Sequence, residues 1–328
     1  MSFYQSDLRR TINQDIYKKP TFETTIAGKE YFGIVKSQRR LGKTLNRYMI
    51  HGIQITLEKD NKELLETVKH IRRDFGATRG DIFFQIGFLD EKDHLWTTEL
   101  KGDDKKSGAL RKDKEKLDAM MRDQYEMLPS WREHMPDTTV KIPLDGIQEI
   151  RRGYSKSGKR YINKAKKEDL HFEISTKRDR KRFRETRYTM SYDKGFAITP
   201  KEQFLDLMEY LTENDLWLML AKKGTLVSGS LILEHKKEGG KELIYLYGAT
   251  NREFGNIGGH YWLKDQIMKW ADKGYESLDL LVAPPVEEHY LKGVSRFKQA
   301  FGGEMVISSG NYDLVFNSKL YRLMQVLA

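Results

Sequence analysis

The hydrophobic pattern along the chain changes period repeatedly, and each change marks an element. Residues 29–39 and 43–51 alternate apolar and polar side chains around Arg40-Leu41-Gly42-Lys43, which predicts a hairpin. Over 60–75, Leu64, Val68 and Ile71 recur at helical spacing, so a helix with one inward stripe follows. DIFFQIGF (81–88) reads as a short buried strand. Residues 101–123 mix charges of both signs and read as a solvated loop and helix face. TTVKIPLDG (138–146) adds a strand that leaves this part of the chain.

A second series follows. Residues 145–175 begin as an amphipathic helix and end on a strand, and the very basic 176–195 reads as helical. Phe204, Leu207, Met208 and Leu211 share one helical face, with Thr199-Pro200 as N-cap and first helical residue. LWLMLAKKGTLVSGSLILEH (216–235) predicts two strands around Lys-Lys-Gly, and KELIYLYGAT (241–250) a third. A helix over 260–273 turns Leu263, Ile267 and Trp270 inward, and ESLDLLVA (276–283) and YDLVF (312–316) are strands. The first series is a shorter version of the second. This predicts an α+β protein of two related units, each a mixed, mostly antiparallel sheet flanked by helices. The boundaries are 1–143 and 144–311, with 312–328 packing back on the first unit. Neither half shows an uninterrupted Rossmann pattern.

Composition narrows the function classes. With 328 residues, 38% hydrophobic and 11% aromatic, the chain can build real cores. No run of about 18 apolar residues is present, and the first residues lack an apolar signal core. The expected location is therefore cytoplasmic, with peripheral contact at the inner face of a membrane. Cysteine is absent, which excludes disulfides, thiolate metal sites and cysteine nucleophiles. The histidines are scattered without metal-ligand spacing, so neither a metal nor a cofactor is expected. The net charge of +10 favours polyanionic partners: nucleic acid, nucleotide phosphates or an anionic membrane.

Three stretches could carry chemistry. In YLYGATNREFGNIGGHYWL (245–263) a strand gives way to Arg252, Gly258 and Gly259 and then a helix, a context that suits an anion. The plain alternative is a glycine-capped turn. The segment 151–167 gathers Arg151, Arg152, Lys159, Arg160, Lys164 and Lys167 around Tyr154 and Tyr161. Such residues contact phosphates and stack on bases, or they form an ordinary solvated helix face. GVSRFKQAFGGE (293–304) predicts a helix from Val294 to about Phe301, closed by Gly302-Gly303, with Phe297 and Phe301 on one face and Lys298 off it.

Taken in order, these motifs resemble the FemABX family of peptidoglycan-bridge aminoacyltransferases. The matching stretches are SGKRYINKAKKEDLHFEI (157–174), YDKGFAITPKEQF (192–204), LMLAKKGTLVSGSLIL (218–233), YLYGAT (245–250), WADKGYESLDL (270–280), GVSRFKQAFGGE and YDLVFNSKLYRLM (312–324). FYQSDLRR (3–10) and YMIHG (48–52) match more weakly. The resemblance implies two tandem GNAT-like acyltransferase units. It implies transfer of an amino acid from aminoacyl-tRNA to an amine of a peptidoglycan stem peptide, carried on UDP-MurNAc or lipid II. It places Lys298 at the reacting centre as an electrostatic stabiliser, with Phe297 and Tyr247. Tyr245, Arg252, Gly258, Gly259 and Arg296 fall to substrate binding, with Tyr245 and Tyr247 lining one channel. The basic residues of 151–167 fall to tRNA or phosphate. Lys298→Ala is then expected to cost turnover and spare stability.

The chain departs from the family at three points. Phe84-Gln85-Ile86-Gly87 lacks the acidic residue often found there, Thr199 stands where a basic residue is usual, and no helical-hairpin insertion follows 157–174. Two other functions remain open on the same fold: an acyl-CoA-dependent N-acyltransferase, and a non-catalytic protein that binds RNA or an anionic surface.

Overall fold

The computed structural model describes residues 5, 7–26, 28–40, 42–55, 57, 59–76, 78, 80–89, 97–99, 107–131, 138–175, 179–194, 200–212, 216–237, 239–272, 274–283, 292–307 and 310–326. Thr199 lies outside the described residues. The first stretch holds α1 (Asp7–Thr11), β1 (Thr21–Ile26), β2 (Lys29–Arg40), β3 (Lys43–Gln54), α2 (Lys62–Phe75), β4 (Asp81–Leu89), β5 (Thr97–Glu99), α3 (Ser107–Tyr125) and β6 (Met127–Pro129). Next come β7 (Thr138–Pro143), α4 (Ile147–Arg152), α5 (Lys156–Ala165), β8 (His171–Ile174), α6 (Arg180–Lys194) and α7 (Lys201–Thr212). β9 (Leu216–Lys223), β10 (Thr225–Lys237), β11 (Gly240–Thr250), α8 (Gly259–Ala271), β12 (Ser277–Asp279), α9 (Lys292–Gln299) and β13 (Glu304–Ile307) follow. Last are β14 (Gly310–Val315) and α10 (Ser318–Val326).

The chain divides into two compact units: Met1–Thr97, Asp104–Asp137 and Ile307–Ala328 in one, Thr98–Asp103 and Thr138–Val306 in the other. Each has its own sheet. The first runs β1-β2-β3-β4-β14-β6 and the second β5-β13-β7-β12-β11-β10-β9-β8. The same logic builds both. β1, β2 and β3 pair antiparallel, α2 crosses over, and β4 returns parallel to β3. Likewise β9, β10 and β11 pair antiparallel, α8 crosses over, and β12 returns parallel to β11. An antiparallel strand then completes each: β14 beside β4, and β7 beside β12. The expected α+β architecture of mixed sheets with flanking helices is therefore what folds. One strand changes unit: β7, read from the sequence as leaving the first part, pairs with β12, because its alternating buried side chains belong to the second core.

Local chemistry explains the clearest elements. Asn61 caps α2 by accepting from the backbone N–H groups of Glu63 and Leu64, and Leu64, Val68 and Ile71 are buried as their spacing predicts. The helix expected at the start of the second series breaks in two at Gly153-Tyr154-Ser155. Ser155 restarts it by accepting from Gly158 N. Within the mixed-charge stretch the described part, from Ser107, forms α3, which buries Leu117, Met121 and Tyr125, while 101–106 lie outside the described residues. Among the described residues no helix is long and apolar enough to cross a membrane.

The first sheet contains a buried acid that the sequence did not flag. Asp313 lies opposite Gln85 in the β14–β4 register and has no exposed surface. It accepts from Tyr321 Oη (2.7 Å), Ser130 Oγ (2.9 Å) and Gln85 Nε2 (3.1 Å). Burial raises its carboxyl to about 6, against those donors, which pull it down. A carboxyl raised in the folded state is held best while protonated. Its contribution is complete below the ordinary carboxylate range and is lost as pH rises through about 6. The expected loss is on the order of 3 kcal/mol. Denaturant midpoints measured from pH 4.5 to 7.5 should fall more in the wild type than in Asp313→Asn; parallel curves would refute the assignment.

Candidate active site

The geometry of the second sheet turns on an irregularity in β11. Tyr247 pairs with Leu231 and Tyr245 with Ile232, so Leu246 is an extra residue opposite a continuous β10. In a regular strand the two tyrosines would share a face; a bulge parts them. Successive residues of β10 identify the faces. A Cβ on Gly229 would lie 2.5 Å from Phe183 of α6, whereas Ser230 Oγ accepts from Lys264 of α8 at 2.6 Å. Tyr245 is on the α8 side, its ring centre 3.6 Å from Lys264 Nζ and 5.7 Å from Lys298 Nζ. Tyr247 is on the α6 side, against Arg187 (4.4 Å) and Phe204 (5.5 Å). The expectation that both tyrosines line one channel, with Tyr247 beside Lys298, is corrected by this bulge.

Two lysines therefore face one tyrosine inside the protein. Lys298 is 5% exposed and Lys264 is 2% exposed. Lys298 Nζ donates to the carbonyls of Leu281 (2.8 Å) and Val282 (2.9 Å) just beyond β12. Burial lowers its amine to about 8, and the nearby Asp279 carboxyl opposes the fall. Lys264 is pushed well below the ordinary lysine value, first by burial and then by the charge of Lys298. Asp279 is itself raised by burial, while it accepts from Thr139 Oγ1 and from Leu281 N at 2.7 Å. Burial also raises the Tyr245 phenol.

The segment around Lys298 is held by aromatic packing and by two left-handed glycines. Phe297 meets Tyr261 (4.9 Å) and Phe301 (5.3 Å) edge-on and lies 4.9 Å from His260. Phe301 in turn meets Tyr154 edge-on at 5.6 Å. Gly302 and Gly303 have φ of +72° and +81°. A Cβ on Gly302 would come within 2.7 Å of Gly153 O, and one on Gly303 within 2.5 Å of Lys141 O. The close approach these glycines permit is to the protein's own backbone. Arg296, on the same helix, is exposed.

The glycines assigned to substrate are occupied in the same way. Gly258 has φ +81° at the start of α8, and its carbonyl accepts from Tyr261 N and Trp262 N. Both Gly258 and Gly259 are buried: a Cβ on Gly258 would collide with Tyr161 O, and one on Gly259 with Val227. Their absent side chains let α5 and β10 close on α8. The turn reading holds for them, while Arg252 is exposed in the short turn before.

The basic segment divides. Arg151 is not available to phosphate: Nε and Nη2 each donate at 2.7 Å to Asp265, which is 1% exposed and also accepts from Tyr154 Oη at 3.2 Å. The remaining cations, Arg152, Lys159, Arg160, Lys164 and Lys167, are exposed on and beside the outer face of α5. Arg152 pairs with Glu149, Lys164 reaches Asn256 O, and Arg160 lies over Tyr161 at 5.0 Å. Arg151→Ala should therefore lower stability by about 2–3 kcal/mol, since it leaves a buried carboxylate unpaired. The double variant Lys159→Glu/Lys167→Glu should stay within about 0.5 kcal/mol of wild type. Urea midpoints check both; a double variant that falls as far as Arg151→Ala would refute this division of the basic segment.

Periodicity missed Lys264, Asp265 and Arg187. For Lys264 and Asp265 the only signal was charge interrupting the apolar stripe of α8, while Arg187 shares its inward face of α6 with buried Arg180 and Ser191.

Comparison with known proteins adds the following. Residues 221–328 match the model of the FemAB family. No curated protein matches the chain. Among solved structures, a crystal structure of FemX is similar over 99% of this chain and 94% of its own, at 14% identity and a TM-score of 0.66. A conserved protein of unknown function from Bacteroides thetaiotaomicron is similar over 95% and 91%, at 8% identity and a TM-score of 0.54. The C-terminal domain of a putative lysylphosphatidylglycerol synthetase from Agrobacterium fabrum is similar over 98% and 96%, at 12% identity and a TM-score of 0.52. The resemblance to the FemABX family drawn from the motifs is thus borne out, and the shared fold spans the whole chain.

Proposed function

We propose that this chain, whose C-terminal third carries the FemAB match, is a tRNA-dependent aminoacyltransferase that forms an amide on an amine of a peptidoglycan precursor. The observation that carries the reading is Lys298: an amine buried beside Tyr245 and fixed by two carbonyls, within the matched residues. The chemistry asks for little more. The acceptor amine attacks the carbonyl carbon of the aminoacyl ester, a C–N bond forms, and the C–O bond to the ribose breaks. The amine's surplus proton ends on the departing ribose oxygen. Negative charge develops first on the carbonyl oxygen and then on the leaving oxygen, and a cation in a water-poor site stabilises both. Lys298 is assigned that role. The exposed cations of α5 are assigned to the tRNA, and the acceptor is assigned as UDP-MurNAc-peptide or lipid II.

The acyl-CoA reading has less support, because Gly258 and Gly259 pack on Tyr161 and Val227. The test is transfer of a labelled amino acid from a panel of charged tRNAs to lysine-containing UDP-MurNAc-pentapeptide or lipid II. Failure of every pairing, together with no tRNA binding, would discard the proposal. Saturable CoA binding would favour the alternative.

A further inference from the structure

The last helix, α10, carries a different pattern on each side. Leu320, Tyr321 and Met324 pack onto a small cluster built on Ile82 and Phe83 of β4. Tyr321 meets Phe83 edge-on at 5.3 Å, and its hydroxyl donates to buried Asp313 at 2.7 Å, so this side anchors the helix. Lys319, Arg322, Leu323 and Val326 recur at i, i+3, i+4 and i+7, and all four are exposed. A helix on a protein surface ordinarily gives that outer stripe to polar side chains. Here Leu323 is 52% exposed and Val326 83%. The apolar arc thus continues past the core, because Leu320 neighbours Leu323 and Leu323 neighbours Val326 on the helix surface. The cluster itself is thinly covered: Leu128, Trp131, Leu320 and Met324 around it are only half-buried.

The charges beside this ridge indicate what covers it. α10 has no acidic residue, and among the described residues neither Lys319 nor Arg322 forms an ion pair. An apolar ridge edged by two such cations suits a partner that offers anions and an apolar medium in one place. The headgroup layer of an anionic bilayer does so: leucine and valine enter it while the longer cations reach its phosphates. An indole such as that of Trp131 suits the same layer. A second copy of this chain fits worse. A two-fold contact would set Lys319 and Arg322 against the same cations, with no acid on either helix to answer them. Two exposed apolar side chains also fall well short of the ~1,000 Å² that a stable protein interface needs. A membrane contact needs less area, since each cation near an anionic surface adds about fivefold to partitioning.

We propose that the outer face of α10 docks this protein on an anionic lipid surface, with Leu323 and Val326 in the headgroup layer and Lys319 and Arg322 on its phosphates. The basic surplus of the chain draws it toward such a surface without choosing a side of the molecule. The ridge on α10 makes that choice. The contact is shallow and reversible, as suits a helix with two inserting side chains. It does not rest on the transfer reaction.

The test uses the full chain and co-sedimentation with extruded vesicles. One set is phosphatidylcholine alone, the other phosphatidylcholine and phosphatidylglycerol in equal parts. The chain should bind the mixed vesicles, bind the neutral ones far less, and lose affinity as salt rises. Lys319→Gln/Arg322→Gln should weaken binding by roughly 30-fold, about fivefold for each charge. Leu323→Ser/Val326→Ser should weaken it by about tenfold or more. Lys62→Gln/Arg122→Gln removes the same charge from exposed positions on α2 and α3 and should remain near wild type. Because the chain has no cysteine, Val326→Cys takes a polarity-sensitive fluorophore at one place. Its emission should shift to the blue on mixed vesicles, whereas a label at Lys62→Cys should not respond. All substituted positions are exposed, and circular dichroism checks that each variant is folded. Equal binding to neutral vesicles, an α10 double variant that binds like wild type, a control pair that loses as much, or an unshifted Val326 label would overturn the proposal. Self-association abolished by Leu323→Ser/Val326→Ser, without vesicle binding, would give the face to a second copy and overturn it too. No tRNA or acceptor enters these readouts, so the surface stands or falls separately from the proposed function.

Discussion

Replacing Lys298 with methionine should lower turnover of aminoacyl transfer by about 10²–10³-fold, the usual effect of removing one donor to a developing oxyanion. It should also lower stability. Two half-buried carbonyls, of Leu281 and Val282, lose their donor, which costs about 1–3 kcal/mol. The sequence reading expected stability to be spared; the contacts of Nζ say otherwise. The activity must therefore be measured on protein shown by circular dichroism to be folded at the assay temperature. The wild-type pH profile gives an independent reading. If the cation does the work, kcat falls as pH rises through about 8, where Lys298 loses its proton. A kcat that climbs through that range would mean that the neutral amine acts as a base, and the assigned role would be wrong.

Gly302→Ala and Gly303→Ala should each destabilise the protein by about 2–5 kcal/mol. An alanine in the left-handed region costs about 1–2 kcal/mol, and crowding against Gly153 O or Lys141 O adds about 1–3 kcal/mol. Activity should fall with them, because α9 carries Lys298 and these glycines end it. Gly293→Ala, on the same helix with open space around its Cβ, is the control and should remain near wild type. Equal unfolding midpoints for Gly302→Ala and wild type would show that the backbone can yield there.

How much of this was legible beforehand depends on the range of the interaction. Leu64, Val68 and Ile71 announced α2 because a single helix face decides their burial. Phe297 and Phe301 were paired correctly for the same reason. The Gly302-Gly303 pair was recognised as a helix end, but its second reason, the approach to Gly153 and Lys141, lies in segments far away in sequence. Arg151 looked like its exposed neighbours until Asp265 was placed beside it across 114 residues. Tyr245 and Tyr247 looked like a shared face until one extra residue in the β10–β11 pairing turned them apart.

By itself the sequence determined the order of elements, the two-unit α+β plan, the family motifs and the candidacy of Lys298. Those follow from periodicity, turn chemistry and local spacing, which act within about one or two turns of chain. Only the tertiary structure decided which charges are spent on the protein and which stand ready. It gave Arg151 to Asp265, buried Lys298 and Lys264 against one face of Tyr245, and set Arg187 beneath Tyr247 on the opposite sheet face. Desolvation and pairing depend on what lies across the sheet, and that neighbour is chosen by folding rather than by position along the chain.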